Sequence, residues 1–353
     1  MTATLEINLK KIENNVSIIK NLCDENNIEI TGITKMFSGD PKIANMYLSG
    51  GLEKLGDSEI SNLKNLSGIE AEKWMVRIPA LSEIEDLIKY SDASLNSELE
   101  VIKEIEKQSK KQGKIHKIIL MQELGDLREG ILDREELIRT ADYVLNSKWI
   151  ELYGMGTNLT CLSFVQPSVE NLSRLVKMSK EVFGNRKFMI SGGNSSSIDL
   201  MLNKKMPVEI NNLRLGESLI FGKERAKYKY LDGTYSDTFV LKAEIVEIKE
   251  KPSFPWGKIG ADSYGRTPTF TDRGIRKRAI CAVGRKSMDV GTTKPCDSGV
   301  GIVGASSDHL MLDISDSNKN YKIGDKISLK LGYASALLAM NSTYIKKEYI
   351  TEI

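Results

Sequence analysis

Short apolar runs alternate with amphipathic helical segments up to about residue 222. The segment REELIRTADYVLNS, for example, places Leu137, Ala141 and Val144 on one face, which is the spacing of a helix with one buried side. Between such segments lie eight runs that predict strands, at residues 29–35, 53–57, 73–78, 92–96, 116–124, 150–158, 187–193 and 211–216. Strands that alternate with helices form a parallel sheet, and eight of them predict a (β/α)8 barrel of the TIM type.

The pattern changes after residue 228, where strand-like runs are separated only by turn residues. These runs are TFVLKAEIVEIKE, RAICAVG, GVGIVGA, HLMLDIS and DKISLKLGY, and they predict a C-terminal β domain. The opening ATLEINL also alternates, with Leu5, Ile7 and Leu9 on one side. We therefore expect residues 1–9 to form a strand that joins the C-terminal sheet, 10–228 to form the barrel and 229–353 to form the β domain.

Composition excludes several classes of protein. The 353 residues carry a formal net charge of +2, so no excess of charge points to nucleic acid or to an anionic membrane. No stretch approaches the roughly 20 apolar residues of a membrane span, and MTATLEINLKK lacks the apolar core of a signal peptide, so a cytoplasmic protein is expected. Four dispersed cysteines and two histidines predict neither a disulfide framework nor a metal site.

Polar side chains collect at the carboxyl ends of the predicted strands. Lys35 follows the first strand, Asn158 ends the sixth, and Arg214 lies within the eighth. Barrel enzymes place their chemistry at this end, because the loops after the strands meet there. Any single residue of this kind is compatible with an ordinary loop, but an amine and guanidinium groups at one end of a barrel complement an anionic ligand.

The run SGGNSSS follows the seventh strand and opens a short helix. Its glycines allow close approach of the backbone and its serines and asparagine offer donors, which is typical of a barrel phosphate site and also of a simple capped turn. A lysine amine across the barrel mouth from a phosphate loop suggests a Schiff base with pyridoxal 5'-phosphate, although a surface lysine that extends into solvent remains the alternative.

Eight segments, in order along nearly the whole chain, carry a resemblance to a known family. They are ATLEINLKKIENNV, GITKMFSGDPKIA, LGDSEISNL, ELGDLREGI, GTNLTC, SGGNSSS, LRLGESLIFG and RAICAVGR. By these segments the chain resembles the alanine racemase family of barrel-type pyridoxal-phosphate enzymes, and within it the ornithine racemase branch. The resemblance implies an amino-acid racemase that interconverts L- and D-enantiomers by two-base proton transfer. It also implies a head-to-tail homodimer with shared active sites.

The resemblance assigns a role to each matching residue. Lys35 would hold the cofactor and act as the base on one face of the substrate α-carbon, and Tyr264 of the partner subunit would act on the other face. Arg128 would contact the cofactor's phenolic oxygen and the substrate carboxylate, and Arg214 would face the pyridine nitrogen. The remaining matches are Asn194 and Ser195 at the phosphate, Asn158 in place of a ring-stacking histidine, and Ser307 and Asp308 at positions that reach the neighbouring active site.

Departures from the family pattern favour a roomier or more polar pocket. Asn341 replaces a phosphate-contacting tyrosine, and Ser306 and Ser307 replace a cysteine–methionine pair. These changes are consistent with a diamino acid such as ornithine, with Asp308, Asp297 and Asp57 as candidate partners of its side-chain ammonium. Racemases of alanine, lysine or serine remain alternatives.

Two other classes remain open. KPCDSGVG resembles a cysteine motif of barrel-type decarboxylases, but those enzymes direct a glutamate at the pyridine nitrogen, where this chain has Arg214. A guanidinium holds its protons and makes the cofactor a weaker electron sink, which favours racemisation. A non-catalytic carrier of the cofactor resembles the barrel alone and leaves the C-terminal β domain without a purpose.

Overall fold

The computed structural model describes residues 1–184, 186–261, 265, 267 and 269–353. The chain divides into two units. The β unit consists of Met1–Asn8 and Phe239–Ile350, and the barrel unit consists of Leu9–Thr238 with Thr351–Ile353.

The first strand, β1, spans Ala3–Asn8 and belongs to the β unit. The strands of the barrel are β2 (Glu29–Ile33), β3 (Lys54–Asp57), β4 (Glu72–Met75), β5 (Ala93–Asn96), β6 (His116–Met121), β7 (Ile150–Gly156), β8 (Met189–Ser191) and β9 (Asn212–Leu215). The helices of the barrel unit are α1 (Leu9–Asp24), α2 (Pro41–Ser49), α3 (Ile60–Asn65), α4 (Ile84–Tyr90), α5 (Leu99–Gln112), α6 (Arg134–Leu145), α7 (Val169–Phe183), α8 (Ile198–Leu202) and α9 (Glu217–Phe221).

Strands β2 to β9 form a closed parallel barrel, which confirms the predicted fold. Closure comes from the pairing of β2 with β9, in which Thr31 lies opposite Arg214. Six of the eight strands end one to three residues before their predicted ends. Lys35 and Asn158 therefore lie in the loops that follow the strands, not in the strands themselves.

Side chains that alternate along each strand form two apolar layers. In β6, Ile118 and Leu120 pack against the surrounding helices, whereas Ile119 and Met121 belong to a second cluster with Trp74. A barrel interior filled with side chains leaves no channel through it. The amino-terminal ends of the strands carry ion pairs, such as that between Lys117 and Glu72 at 2.8 Å. The polar groups at the opposite, carboxyl ends are therefore the candidate site.

The β unit contains the remaining strands, namely β10 (Phe239–Pro252), β11 (Ile275–Cys281), β12 (Thr293–Pro295), β13 (Gly301–Ala305), β14 (Leu310–Asp313), β15 (Lys326–Leu331) and β16 (Lys346–Ile350), and the helix α10 (Tyr333–Asn341). Its sheet runs β12-β15-β10-β11-β14-β13. β1 pairs antiparallel with β10 and parallel with β16. In the part of the chain that the structure describes, no helix is both long enough and apolar enough to cross a membrane.

Candidate active site

Lys35 stands on a short 3₁₀ turn, Lys35–Phe37, just after β2. Met36 and Phe37 are buried and anchor the turn, while Lys35 itself is exposed. Its amine makes no hydrogen bond or ion pair with any residue that the structure describes. An amine held on an anchored turn without a partner is available to a ligand.

Asp57, at the end of β3, fixes the residue before this lysine. Its carboxylate accepts hydrogen bonds from Thr34 Oγ1 at 2.5 Å, from Asn62 Nδ2 at 3.0 Å and from the Glu59 amide at 3.0 Å. Burial raises the pKa of Asp57, and these hydrogen bonds oppose the rise. The carboxylate is thus engaged within the protein, where it orients the turn that carries Lys35.

Arg214 points into the barrel from β9 and is 5% exposed. Its Nη1 donates to Ser191 Oγ at 2.6 Å, and its Nη2 donates to the Thr157 carbonyl at 2.7 Å. A Cβ at Gly156 would lie 3.3 Å from Met121 Sδ, 3.3 Å from Ser191 Cβ and 3.4 Å from Nη1, so a larger residue would crowd the side chains around Arg214. Burial lowers the pKa of Arg214 to about 10, a value at which the group is still charged at neutral pH.

A group of small polar side chains lies beyond the ends of β7, β8 and β9, and we call Asn158, Asn194, Ser195 and Ser218 the polar cradle. Ser195 Oγ and Ser218 Oγ are 3.0 Å apart, and Asn194 Nδ2 donates to Asn158 Oδ1 at 3.2 Å. Asn158 is 8% exposed, and its Nδ2 has no hydrogen-bond partner among the described residues. A buried donor without a partner is costly, so the cradle is suited to an acceptor from a ligand.

Arg128 lies in the loop after β6, and both Nε and Nη2 contact the carboxylate of Glu129. Burial lowers the pKa of Arg128, but the hydrogen bonds and charge of Glu129 outweigh this and raise it overall. Leu127 and Gly130 flank the pair with φ angles of 58° and 131°. A Cβ at Gly130 would lie 2.5 Å from the Glu123 amide nitrogen, so only glycine fits this turn.

Two loops at this end of the barrel are joined by Asp126, which is fully buried. Its carboxylate accepts hydrogen bonds from the amides of Cys161 at 3.1 Å, Leu162 at 3.0 Å and Ser163 at 3.2 Å. The Ser163 hydroxyl donates in turn to the Asp126 carbonyl at 2.7 Å. The loop that carries Arg128 is thereby tied to the loop that follows Asn158.

The structure therefore brings Lys35, Arg128, Asn158, Asn194, Ser195 and Arg214 to the carboxyl end of one barrel. Sequence reasoning missed four of the side chains around them, namely Thr34, Glu129, Ser191 and Ser218. It also missed Gly156, although a glycine inside a predicted strand signals close approach of another group. The missed side chains are common residue types, and only the fold brings them next to the predicted ones.

The residues predicted from the C-terminal part lie in the β unit or outside the described residues. Ser307 and Asp308 are exposed in the turn between β13 and β14. The amine of Lys286 lies 2.6 Å from Asp308 Oδ1, and this contact lowers the pKa of Asp308. Asp297 accepts a hydrogen bond from Tyr321 at 2.5 Å and pairs with Lys319. Tyr264 lies outside the described residues.

Known proteins resemble this chain over nearly its whole length. Residues 7–224 match the family described as alanine racemase, N-terminal domain. The chain belongs to the alanine racemase family. It is 42% identical to an ornithine racemase of Acetoanaerobium sticklandii, over 99% of this chain and 100% of that one. It is 35% identical to a lysine racemase of Thermotoga maritima, over 98% of each chain.

The fold of the family is also seen in solved structures. The alanine racemase of Clostridium difficile superposes with a TM-score of 0.72 at 20% identity, covering 100% of this chain and 96% of that one. The chain is thus an amino-acid racemase of the alanine racemase family, whose members depend on pyridoxal phosphate. Among the residues that the structure describes, no cluster of three or more His, Cys, Asp or Glu side chains could hold a metal ion.

Proposed function

We propose that this racemase interconverts the enantiomers of ornithine with pyridoxal 5'-phosphate bound at Lys35. The observation that carries the proposal is the unpartnered amine of Lys35, at the same end of the barrel as the buried Arg214 guanidinium and the polar cradle. Two relatives that match nearly the full length carry names that specify diamino acids, ornithine and lysine. A diamino acid also accounts for the more polar residues that replace the usual family pattern.

The residues present fit the cofactor. Lys35 would hold its aldehyde carbon, Arg214 would face the pyridine nitrogen, and Asn158 would contact the ring. Asn194 and Ser195 would bind the phosphate, for which the cradle offers the hydroxyl groups of Ser195 and Ser218. Arg128 would contact the phenolic oxygen. When bound, pyridoxal phosphate withdraws electrons from the substrate α-carbon and acidifies its proton.

The protein side chains then decide what happens to that proton. Lys35 Nζ would remove or return it on one face of the α-carbon, while Arg128 orients the substrate carboxylate. Arg214 stays charged at neutral pH, because its pKa of about 10 is well above neutrality, and it cannot donate a full proton to a pyridine nitrogen. A weak electron sink favours the return of a proton over the loss of a carboxylate, so the site favours racemisation over decarboxylation.

The second base and the dimer belong to the same proposal. Tyr264 of a neighbouring subunit would act on the opposite face, and Ser307 and Asp308 would line the same shared site, so the enzyme would be a head-to-tail homodimer. In this arrangement the barrel binds the cofactor and the C-terminal β domain completes the neighbour's active site. Cellular location stays a prediction from the sequence, namely cytoplasmic.

Proton NMR in deuterated water tests the reaction. We expect each enantiomer of ornithine to lose its α-proton signal together with its optical rotation, faster than lysine, alanine or serine. Release of an amine product without exchange would identify a decarboxylase. A visible cofactor absorbance band without exchange on any of the four amino acids would overturn the racemase proposal in favour of a carrier.

Variants test the assigned residues. Lys35→Ala should abolish the visible absorbance of the bound cofactor, whereas Lys42→Ala, which removes another exposed lysine nearby, should keep it. Tyr264→Phe should keep the absorbance but slow exchange from one enantiomer more than from the other. Full activity in a monomer at high dilution would contradict the shared active site.

A further inference from the structure

The polar cradle lacks a positive charge of its own. Ser195, Ser218, Asn158 and Asn194 are all neutral, and they offer hydroxyl and amide groups only. A phosphate monoester carries nearly two negative charges at neutral pH, and charge-assisted hydrogen bonds to such groups are about twice as strong as neutral ones. A built phosphate site would therefore be expected to include a cation beside the cradle.

Arg225 lies beside the cradle in the loop after α9. Its amide donates to the Ser195 carbonyl at 3.3 Å, which joins its backbone to one side of the cradle. Its Nε lies 3.8 Å from Glu217 Oε2, and Glu217 immediately precedes the cradle residue Ser218. The backbone of Arg225 thus contacts Ser195, and its guanidinium approaches the residue that precedes Ser218.

The guanidinium of Arg225 shares its ion-pair partner, Glu217, with a second cation, Lys223. Glu217 is paired more closely with Lys223, whose amine is 2.9 Å from Oε1, than with Arg225 at 3.8 Å. Burial lowers the pKa of Arg225, but a hydrogen bond with Tyr228 and the charge of Glu217 outweigh this and raise it. One carboxylate is therefore shared by two cations, and the guanidinium can bind a further anion.

The loop that carries Arg225 is built on a buried carboxylate. Glu224 is 2% exposed and accepts hydrogen bonds from the amides of Ala226 at 2.7 Å, Lys227 at 3.0 Å and Lys229 at 2.9 Å. A bridge between Lys223 and Tyr230 closes the same loop. Arg225 is therefore presented from a fixed backbone, which reduces the entropy lost when its side chain binds a ligand.

We propose that Arg225 binds the phosphate group of the cofactor, next to Ser195 and Ser218, and supplies the positive charge that the cradle lacks. This inference rests on the proposed function, since it needs pyridoxal phosphate at Lys35. A guanidinium offers a planar pair of donors that matches two phosphate oxygens, so Arg225 would confer selectivity for the phosphorylated cofactor over the free aldehyde.

Equilibrium binding of two aldehydes tests the inference without measuring racemisation. Pyridoxal phosphate and pyridoxal, which lacks the phosphate, are titrated into the full-length protein after removal of its cofactor, with absorbance as the readout. Arg225→Gln should weaken the binding of pyridoxal phosphate at least tenfold and leave that of pyridoxal within about twofold, and Arg225→Lys should be intermediate. Inorganic phosphate should compete with pyridoxal phosphate in the wild type and less in Arg225→Gln.

Arg174→Gln is the matched control, because Arg174 pairs with Glu170 at 2.6 Å on the exposed face of α7. It should bind both aldehydes as the wild type does. Equal weakening of both aldehydes by Arg225→Gln, or an unchanged preference for the phosphorylated one, would overturn the inference. If Arg225→Gln does not fold, Arg225→Lys serves in its place, and the ratio of its affinities for pyridoxal phosphate and pyridoxal decides. A wild type that binds neither aldehyde would contradict the proposed function instead.

Discussion

Arg128 and Glu129 are consecutive residues whose charged groups meet in a two-point contact. An arginine side chain that is 41% exposed would otherwise sample many rotamers, and fixing it costs entropy. Glu129 occupies the edge formed by Nε and Nη2, so the rest of the guanidinium can be offered to a carboxylate in one orientation. We infer that Glu129 fixes the orientation of Arg128, the proposed contact of the substrate carboxylate.

Glu129→Gln should therefore lower kcat/KM about three- to tenfold for every amino acid substrate. This factor corresponds to the entropy cost of immobilising one long side chain on binding. The measurement is a steady-state racemisation assay by polarimetry. Glu135→Gln is the control, because Glu135 also pairs with the preceding arginine, Arg134, at 2.6 Å but on an exposed surface. The same loss in both variants would mean that only the total charge matters.

His116 is a buried histidine at the start of β6, away from the candidate site. Its Nε2 lies 2.9 Å from Ser94 Oγ, and burial, together with the charge of Lys114, lowers its pKa to about 3. The unfolded chain, with an ordinary histidine pKa near ~6.5, binds a proton that the folded chain excludes. The stability that His116 contributes is therefore present above pH ~6.5 and is lost progressively as the pH falls towards 3.

The test is the slope of the unfolding free energy against pH between 6.5 and 4, from urea titrations. His116→Gln keeps a polar group near Ser94 but cannot titrate, so its slope should be shallower than that of the wild type by up to about 1.4 kcal/mol per pH unit. His309 is the other histidine of the chain and is exposed, so His309→Gln should leave the slope unchanged. Parallel curves for the wild type and His116→Gln would refute the assignment.

At the scale of elements, the loops after β6 and β7 depend on one carboxylate. Asp126 accepts three backbone hydrogen bonds from residues 161–163, and an asparagine could not accept all of them. Asp126→Asn should cost about 1–3 kcal/mol of local stability and speed hydrogen exchange of these amides about tenfold or more.

The matched control for this change is Asp133→Asn. Asp133 caps α6 by accepting from the Glu136 amide at 2.7 Å, a position where asparagine serves as well as aspartate. Its exchange pattern should match that of the wild type. If residues 161–163 exchange at wild-type rates in Asp126→Asn, the two loops are held together by other contacts.

The same elements explain what the sequence could predict. All eight barrel strands were identified, because each is a short β-rich run between amphipathic helices. Six of the eight strands are predicted to end one to three residues too late, because the sequence pattern does not change at the residue where the pairing of the strands stops.

The candidate site residues of the barrel are predicted from motifs and from the family resemblance, whereas their partners depend on pairs distant in the chain. Ser191 contacts Arg214, and Ser195 contacts Ser218, across 23 positions in each case. No local pattern records such a pairing, because it arises only when neighbouring strands close the barrel. Glu129 is adjacent to Arg128 but lies in a turn whose φ angles bring the two consecutive side chains together. The alternation of side chains along a strand does not predict such a contact.

For the whole molecule, the two ends of the chain meet in one sheet. β1 lies between β10 and β16, and Leu5 pairs with Leu241 on one side and with Lys347 on the other. In the described residues β16 pairs with no other strand, so the last strand can join the sheet only through the first. Contacts between residues so far apart in the chain form slowly and late.

Leu5→Ala should therefore destabilise the β unit from its centre. Leu5 is fully buried, and truncation of a buried leucine costs about 2–5 kcal/mol. Glu6→Ala, in the same strand, removes a partly exposed ion pair with Lys242 and should cost less than about 1 kcal/mol. Hydrogen exchange should show the loss in Leu5→Ala at the amides of β10 and β16, the two strands that β1 joins.

If those amides are affected equally in the two variants, the sheet does not depend on the buried face of β1. If they keep wild-type protection in Leu5→Ala, β16 is held in place by contacts other than its pairing with β1.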